Sequence, residues 1–289
     1  MHFVEAKGIL SNKNGMNIYR GCTHGCIYCD SRSNCYQMQH DFEDIEVKKN
    51  AVMLLEHALS HKRKKCMIRT GAMCDPYMHC EEKLQMTRRC LEIIARYGYG
   101  LSIQTKSDRI LRDIDLLKEI HNQSKCIVEI TMTTYNEELC KIIEPRVCTT
   151  KRRYEVLKIM DEHKIPTIVW FSPLLPFLCD TKENLKGLLD YCIDAHVKGI
   201  ICFGIGTTMR EGSREYFYRE LEKSFPQMSK RYQKKYGYAY ECVSDNHEQL
   251  MAFFHEECEK HGIMHNTDKI FSYIEAFPEP RYEQLSLFV

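Results

Sequence analysis

The sequence predicts an α/β protein, a partial (β/α)6 TIM-like barrel that is followed by a helical C-terminal section. Six short apolar segments alternate with segments of helical periodicity between residues 16 and 204. Such alternation is typical of parallel strands that are joined by right-handed crossover helices. Six units are fewer than the eight that close a complete barrel. We therefore expect an open, curved sheet with a cleft on its inner face.

The same pattern divides the chain. We expect the barrel over residues 1–205, the helical section over 206–275 and an extended tail over 276–289, which contains Pro278 and Pro280. Strands are predicted over residues 16–21, 66–71, 101–105, 126–132, 166–171 and 199–204. Crossover helices are predicted over residues 51–59, 81–97, 109–121, 151–163 and 182–196. The C-terminal section is predicted to hold helices over residues 214–222, 228–236 and 248–261.

Composition excludes several classes of protein. The formal charge of +1 gives no global field that would attract nucleic acid, although a local basic patch would still do so. The 16 cysteines are scattered, and no apolar run follows Met1 as in a secretory signal. No apolar stretch approaches the roughly 20 residues that cross a bilayer. We therefore expect a cytoplasmic protein in which many cysteines are small buried hydrophobic residues.

The most informative motif is a group of three cysteines directly after the first predicted strand. Cys22, Cys26 and Cys29 have a C-x3-C-x2-C spacing, and thiolates suit an iron–sulfur cluster or zinc. A structural zinc site has four protein ligands, whereas three thiolates leave one iron of a four-iron cluster free. The motif therefore predicts a cluster with an open iron and an enzyme. Zinc remains an alternative, with His24 or Cys35 as the fourth ligand.

Together with Tyr28, these cysteines resemble a known family. The motif Cys22-x3-Cys26-x-Tyr28-Cys29 after a first strand resembles the radical S-adenosylmethionine superfamily, and the likeness extends over residues 15–205. A narrower resemblance to the spore photoproduct lyase-like branch rests on Gly71-Ala-Met-Cys-Asp75-Pro76-Tyr77, Thr105-Lys106-Ser107, Glu144-Pro145-Arg146, and Pro173-Leu-Leu-Pro176 followed by Asp180. Spore photoproduct lyase reverses a thymine dimer in DNA.

The resemblance implies cofactors and a reaction type. Cys22, Cys26 and Cys29 would bind a 4Fe-4S cluster whose fourth iron binds S-adenosylmethionine. An electron from a flavodoxin- or ferredoxin-like donor would then cleave this cofactor and produce a 5′-deoxyadenosyl radical. The expected protein is thus a radical S-adenosylmethionine enzyme, lyase-like or hydrogen-abstracting, that acts in the repair of damaged or modified DNA. The alternatives are radical chemistry on RNA, a peptide or a small metabolite, or a non-enzymatic zinc- or thiol-based binding module.

Residues at the ends of later strands are the candidates for binding S-adenosylmethionine. Asp75 would accept hydrogen bonds from its amino group, although an Asp-Pro turn also explains this residue. Lys106 would pair with its carboxylate, unless it is a solvated lysine. Thr131, with Thr133 as competitor, would contact the ribose or the carboxylate. Tyr28 would pack beside the cluster and the adenine, unless it is a plain core aromatic residue.

The hydrogen-atom donor does not follow the pattern of the lyase. In the lyase a cysteine lies three residues before the loop acid, and that position here is Ala72. Cys74, which is adjacent to Asp75, is the candidate donor, and Cys80 is its competitor. Inert buried thiols explain both cysteines as well.

Two further segments suggest nucleic acid and a partner. Residues 230–240 interleave cations with aromatic residues, as phosphate-binding and base-stacking surfaces do, although a solvated helix face has the same composition. The tail resembles the bacterial sliding-clamp-binding peptide through Gln284, Leu285, Leu287 and Phe288. Such a tail would bring the enzyme to DNA by avidity, unless it docks on its own domain.

Overall fold

A computed structural model describes residues 1–278 of the chain. The strands are β1 (His2–Val4), β2 (Gly15–Met16), β3 (Tyr19–Arg20), β4 (Glu46–Lys48), β5 (Met67–Thr70), β6 (Gly100–Thr105), β7 (Cys126–Thr131), β8 (Thr167–Trp170), β9 (Gly199–Ile201), β10 (Gly206–Thr208) and β11 (Glu241–Val243). The helices are α1 (Ala51–His61), α2 (Glu81–Leu84), α3 (Met86–Arg96), α4 (Ile114–Gln123), α5 (Glu137–Ile143), α6 (Thr150–Glu162), α7 (Lys182–Asp194), α8 (Ser213–Ser224), α9 (Met228–Tyr236), α10 (His247–Lys260) and α11 (Thr267–Glu275).

The main sheet confirms the predicted fold class. Its six strands are all parallel and lie in the order β2-β5-β6-β7-β8-β9, which is their order along the chain. All six residues of β7 are buried, as expected for a central strand that is covered on both faces. This is the partial TIM-like arrangement, and its carboxyl-terminal edge is where such folds place their chemistry.

The inner face of the sheet is covered at one end by α11. Ile270 and Ile274 of this helix pack against Met67, Ile127 and Ile168 of the strands. Lys125, which directly precedes β7, donates from Nζ to the carbonyl oxygen of Ala276 at 3.1 Å. The helix therefore covers the amino-terminal end of the sheet and leaves the carboxyl-terminal end to the site.

Three predicted elements differ from the structure. The strand predicted over residues 16–21 is divided, because β2 ends at Met16 and β3 joins β4 and β1 in a separate sheet of order β1-β4-β3. The helix predicted over residues 81–97 is interrupted by Gln85, whose φ of 50° separates α2 from α3. The helix predicted over residues 109–121 begins with a 3-10 turn, Asp108–Asp113, before α4.

The C-terminal section contains the three predicted helices, as α8, α9 and α10. It also contains two features that are not predicted from the sequence, α11 and an antiparallel pair of strands, β10 and β11. Each of these strands has three residues, which is too short for an alternating pattern to be recognised. Within residues 1–278, no helix combines the length and the apolar character that crossing a membrane requires.

Candidate active site

The cysteine loop is held in place by its neighbours at the carboxyl-terminal edge of the sheet. The N–H of Cys22 donates to the carbonyl oxygen of Phe42 at 3.1 Å. Gly21 precedes it with a φ of +87°, and a Cβ at this position would lie 2.4 Å from that same oxygen. A side chain at position 21 is therefore excluded both by backbone conformation and by space. The loop is also bonded to the segment after α5, because the N–H of Ile27 donates to the Ile143 carbonyl at 3.0 Å.

Cys22, Cys26 and Cys29 line one small cavity of about 90 Å³. A single zinc ion with Zn–S bonds of about 2.3 Å requires sulfur atoms about 3.8 Å apart. The three sulfur atoms do not form a group within 4.8 Å of one another, so the spacing is too wide for one ion. An iron–sulfur cluster distributes its thiolates over a larger body, and this donor set of three thiolates fits it.

The other proposed zinc ligands do not complete a zinc site. Cys35 is exposed and accepts a hydrogen bond from Nη1 of Arg210 at 3.3 Å, away from the cysteine cavity. His24 lines that cavity, but its Nδ1 lies 3.4 Å from Oδ2 of Asp75. Within the described residues, the buried Nε2 of His24 has no hydrogen-bond partner.

Asp75 fixes the loop after β5 to the end of β6. One carboxylate oxygen accepts from the N–H of Tyr77 at 2.8 Å and from Oγ1 of Thr105 at 2.7 Å. The other accepts from the N–H of Lys106 at 2.8 Å. The carboxylate thus bonds the protein through both oxygens, and it also lines the cysteine cavity. Its predicted contact with the amino group of S-adenosylmethionine stays a prediction.

A buried ion pair supports the ends of β6 and β7. Arg153 on α6 is fully buried, and its Nη2 lies 2.6 Å from Oε2 of the buried Glu144. The guanidinium also donates to the carbonyl oxygens of Lys106 at 3.1 Å, Thr131 at 3.0 Å and Cys148 at 2.7 Å. One arginine therefore holds the backbone of two candidate cofactor residues.

This ion pair continues to the cysteine loop through Tyr28. The Tyr28 hydroxyl donates to Oε1 of Glu144, and it lies 3.1 Å from Oγ1 of Thr133. Burial and the nearby Glu144 carboxylate raise the pKa of Tyr28 well above its ordinary value, so the hydroxyl keeps its proton. Thr133 is occupied by this network, whereas Thr131 lines the site.

Lys106 supplies the positive charge of the site. Its ammonium lies 5.8 Å from the centre of the Tyr28 ring. Burial lowers the pKa of Lys106, but the Cys26 thiolate and the Glu144 carboxylate outweigh burial, and the net change is a raised pKa. The side chain is therefore charged at neutral pH and suits an anionic group such as a cofactor carboxylate.

A large cavity of about 790 Å³ adjoins the cysteine loop. Its lining includes Tyr28, Cys29, Lys106 and Thr131, and it also includes Trp170, Phe203 and residues of the paired strands β10 and β11. Its volume lies within the range of roughly 300–1,000 Å³ that is usual for ligand sites. The cavity thus connects the candidate cofactor residues to an aromatic surface.

The aromatic surface is oriented by a buried acid. Trp170 donates from Nε1 to Oε2 of Glu129 at 2.7 Å, and Ser102 donates to the other oxygen of Glu129. The rings of Trp170 and Phe203 are 5.9 Å apart at an angle of 60°. Phe203 is 64% exposed, so its ring is accessible to a ligand in the cavity.

Cys74 does not line the large cavity. Its thiol is buried and donates to the carbonyl oxygen of Tyr19 at 2.9 Å, and burial raises its pKa to about 12. Ala72 lines the large cavity at the position where the lyase pattern has its donor cysteine. Cys74 does line the small cysteine cavity, and its role as hydrogen-atom donor stays a prediction.

The basic and aromatic segment over residues 230–240 is divided between core and surface. Tyr232 is buried and donates to the carbonyl oxygen of Pro176 at 2.6 Å, and Arg231 stacks on Phe177 at 3.9 Å. Tyr238 is 91% exposed, and Tyr240 lines the large cavity. The predicted sliding-clamp peptide, with Gln284, Leu285, Leu287 and Phe288, lies outside the described residues.

Four residues of this site were not found from the sequence. Arg153 follows Lys151 and Arg152 in a predicted helix, and the hydrophobic periodicity of that helix does not distinguish the buried cation from its exposed neighbours. Glu129 interrupts an otherwise apolar strand, and this interruption was the available signal for it. Gln104 and Trp170 occupy inner-face positions near strand ends, which could have been found by extending the alternation of β6 and β8.

Comparisons with known proteins agree with the geometry. A family model described as "Radical SAM superfamily" matches residues 16–192. An uncharacterised protein of Mycobacterium tuberculosis is 28% identical over 227 residues, which are 76% of this chain and 66% of that protein. An uncharacterised protein of Methanocaldococcus jannaschii is 32% identical over 58% of this chain and 62% of that protein. The chain thus spans about two thirds of the length of the curated relatives it matches.

Two solved structures have a similar fold. A mutant of spore photoproduct lyase aligns with a TM-score of 0.62 at 13% identity, covering 86% of this chain and 74% of that chain. Another mutant, with bound AdoMet and dinucleoside spore photoproduct, has a TM-score of 0.61 at 13% identity and covers 87% and 75%. At this identity the likeness concerns the fold.

Proposed function

Because the chain belongs to the radical S-adenosylmethionine superfamily, we propose that it abstracts a hydrogen atom from damaged or modified DNA. Members of this superfamily carry a 4Fe-4S cluster and S-adenosylmethionine. When bound, these cofactors supply the radical that begins the reaction. The chain matches the family over 16–192, a range that includes Cys22, Cys26 and Cys29. These three residues are the proposed cluster ligands.

The large cavity is the observation that best supports a substrate with a nucleobase. A nucleobase is planar and stacks on aromatic rings, and such stacking contributes about 1–3 kcal/mol per base. Trp170 and the exposed Phe203 offer such rings in the same cavity that Lys106 lines. Enzymes that act on a base within DNA must first take it out of the stack and hold it in a pocket. The structures of spore photoproduct lyase with a bound dinucleoside support the same class of substrate.

The remaining cavity residues are proposed to bind S-adenosylmethionine. Lys106 would pair with its carboxylate, and Thr131 would bond a polar group beside it. Tyr28 would pack against the cofactor while its hydroxyl stays bonded to Glu144. Asp75 would orient the loop around the amino group. Arg153 would not touch the cofactor, because its guanidinium already bonds Glu144 and three backbone carbonyls.

The reaction that follows hydrogen abstraction is proposed to differ from that of spore photoproduct lyase. Ala72 cannot return a hydrogen atom at the position where the lyase has its donor cysteine. Cys74 would have to act from a site where its thiol is bonded to the carbonyl of Tyr19. We therefore propose DNA-dependent hydrogen abstraction as the activity and Cys74 as the donor to be tested.

The experiment measures 5′-deoxyadenosine from anaerobically reconstituted, chemically reduced protein. The arms contain no substrate, intact duplex DNA, ultraviolet-irradiated DNA, RNA or a peptide. We expect DNA to stimulate the cleavage of S-adenosylmethionine. We also expect DNA that is deuterated at the reacting position to transfer deuterium into 5′-deoxyadenosine. Cys26→Ala is the cluster-free control. The proposal fails if the protein cleaves S-adenosylmethionine but neither binds DNA nor responds to it, and stimulation by RNA or peptide alone would favour the alternative substrates.

Partners and location complete the proposal. We propose that the tail residues Gln284, Leu285, Leu287 and Phe288 bind a sliding clamp, and that a flavodoxin- or ferredoxin-like protein supplies the electron in the cytoplasm. A pull-down with a sliding clamp that retains wild type and Gln284→Ala/Phe288→Ala equally would end the first idea.

A further inference from the structure

A second group of metal-ligating side chains lies on the small sheet, away from the cavity. His2 belongs to β1, Glu46 belongs to the adjacent strand β4, and His40 lies in the loop that leads to β4. His2 and Glu46 occupy directly paired positions of the two strands. One donor atom from each of the three residues lies within 4.8 Å of the other two, and in residues 1–278 this is the group of three that satisfies that limit.

Hydrogen bonds set the two imidazoles in the form that binds a metal. Nδ1 of His40 lies 3.0 Å from the carbonyl oxygen of Asp41, which can only accept, so Nδ1 carries the hydrogen and Nε2 carries the lone pair. Nδ1 of His2 lies 2.9 Å from Oδ2 of Asp44, which has the same effect. Metal-binding histidines typically donate their second N–H to such an oxygen.

The His40 side chain approaches the Glu46 carboxylate but does not form a hydrogen bond with it. Its Nε2 lies 3.7 Å from Oε2 of Glu46, which is beyond hydrogen-bond length, and among the described residues this buried atom has no hydrogen-bond partner. Tetrahedral zinc with bonds of about 2.0–2.1 Å separates its ligand atoms by about 3.3 Å. The observed spacing is therefore close to what one ion would require.

We propose that His2, His40 and Glu46 bind one divalent transition-metal ion, with Zn²⁺ as the preferred ion. Two imidazoles and one carboxylate form a donor set that zinc uses when a fourth position is left to water. The His2 side chain is 39% exposed, whereas His40 and Glu46 are 17% and 19% exposed, which leaves one side of the group to solvent. This proposal does not depend on the reaction proposed above.

The ion would stabilise the support of the cluster loop. His40 lies two residues before Phe42, whose carbonyl oxygen accepts the N–H of Cys22. An ion that joins this loop to β1 and β4 would hold that carbonyl in place. Zinc binding is thus expected to slow loss of the cluster, in addition to raising the thermal stability of the chain.

The test uses the reconstituted protein with the whole chain of 289 residues and without an affinity tag. After equilibration with Zn²⁺ and removal of free metal, we expect about one zinc per chain and zinc-edge X-ray absorption with nitrogen and oxygen ligands at about 2.0–2.1 Å. His40→Ala and Glu46→Gln should each weaken zinc binding at least about tenfold. Glu46→Gln keeps the shape of the side chain, so its result does not depend on a folding defect.

The matched control removes another pair of histidines. The rings of His57 and His61 on α1 are 4.4 Å apart, and the double variant His57→Ala/His61→Ala should retain the zinc. Sulfur ligands at about 2.3 Å would show that cysteines bind the zinc and would overturn the proposal. Unchanged zinc content in both His40→Ala and Glu46→Gln would overturn it as well.

Discussion

Removal of the buried arginine Arg153 is expected to destabilise this chain strongly. Replacement by methionine keeps an apolar chain of similar length but removes every charged contact of the guanidinium. The buried carboxylate of Glu144 then loses its ion-pair partner, and the carbonyl oxygens of Lys106, Thr131 and Cys148 lose a donor. The variant therefore leaves the Glu144 carboxylate without its ion-pair partner in the interior, although the Tyr28 hydroxyl still donates to this carboxylate and the Cys148 thiol still donates to the Lys106 carbonyl.

The size of the effect follows from these contacts. Removing one partner of a buried ion pair costs about 3–5 kcal/mol. Each buried acceptor that loses its donor adds about 1 kcal/mol or more. We expect Arg153→Met to lower the free energy of unfolding by at least about 5 kcal/mol, which is comparable to the whole stability of a marginal domain. Denaturant unfolding under anaerobic conditions, followed by circular dichroism, measures this loss.

The neighbouring Arg152 is the matched control. Its guanidinium pairs at the surface with Asp108 at 2.9 Å and Glu155 at 2.7 Å, and its side chain is 42% exposed. Arg152→Met should cost less than about 1 kcal/mol. The double variant Arg153→Met/Glu144→Leu should recover part of the loss, because it removes the unpaired carboxylate. A loss below about 1 kcal/mol for Arg153→Met would refute the reasoning.

Three further predictions concern single residues. Gly71→Ala should lower the free energy of unfolding by about 3 kcal/mol or more, since φ at Gly71 is +101° and a Cβ there would lie 2.0 Å from the Gln104 carbonyl oxygen. Gly98→Ala is the matched control in the same unfolding assay. It should cost about 1 kcal/mol, because φ is +61° but a Cβ would meet nothing within 4 Å. Cys74→Ala should leave 5′-deoxyadenosine formation within about twofold of wild type, and a tenfold loss would contradict this. Burial raises the pKa of Glu129 above 4.5. The free energy of unfolding of wild type should therefore fall relative to that of Glu129→Gln as pH rises from 4.5 through the raised pKa. A difference between the two proteins that does not change with pH would contradict this.

The regular part of the fold was accessible from sequence because its strands are buried on both faces. The apolar runs at β6, β7 and β8 alternate with segments of helical periodicity, and this alternation predicts parallel strands. The first strand was wrong in extent, because its division depends on contacts of β3 with β4, more than 20 residues further along the chain. Pairing over such a distance leaves no mark in local periodicity.

The residues of the site also differ in whether their grouping depends on nearby residues or on distant segments of the chain. The grouping of Cys22, Cys26 and Cys29 around one cavity could be predicted from spacing, since the three lie within eight residues of one another along the chain. Arg153 could not, because its partner Glu144 and its three carbonyl acceptors come from separate segments. Asp75 lines the cysteine cavity, and its predicted contact with a ligand stays a prediction. Its bonds to Tyr77, Thr105 and Lys106 could not be predicted, because no residue pattern in the sequence indicates them.

The position of α11 has a consequence for the order of events in turnover. Ile270 and Ile274 cover the amino-terminal end of the inner face, whereas the large cavity beside the cysteine loop lies at the opposite end of the described sheet. A small cofactor and a large substrate would then share one entrance. The cofactor would have to enter first, and its fragments would leave only after the substrate withdraws. Ordered binding, with substrate trapping the products of cofactor cleavage, is the kinetic pattern expected of such a molecule.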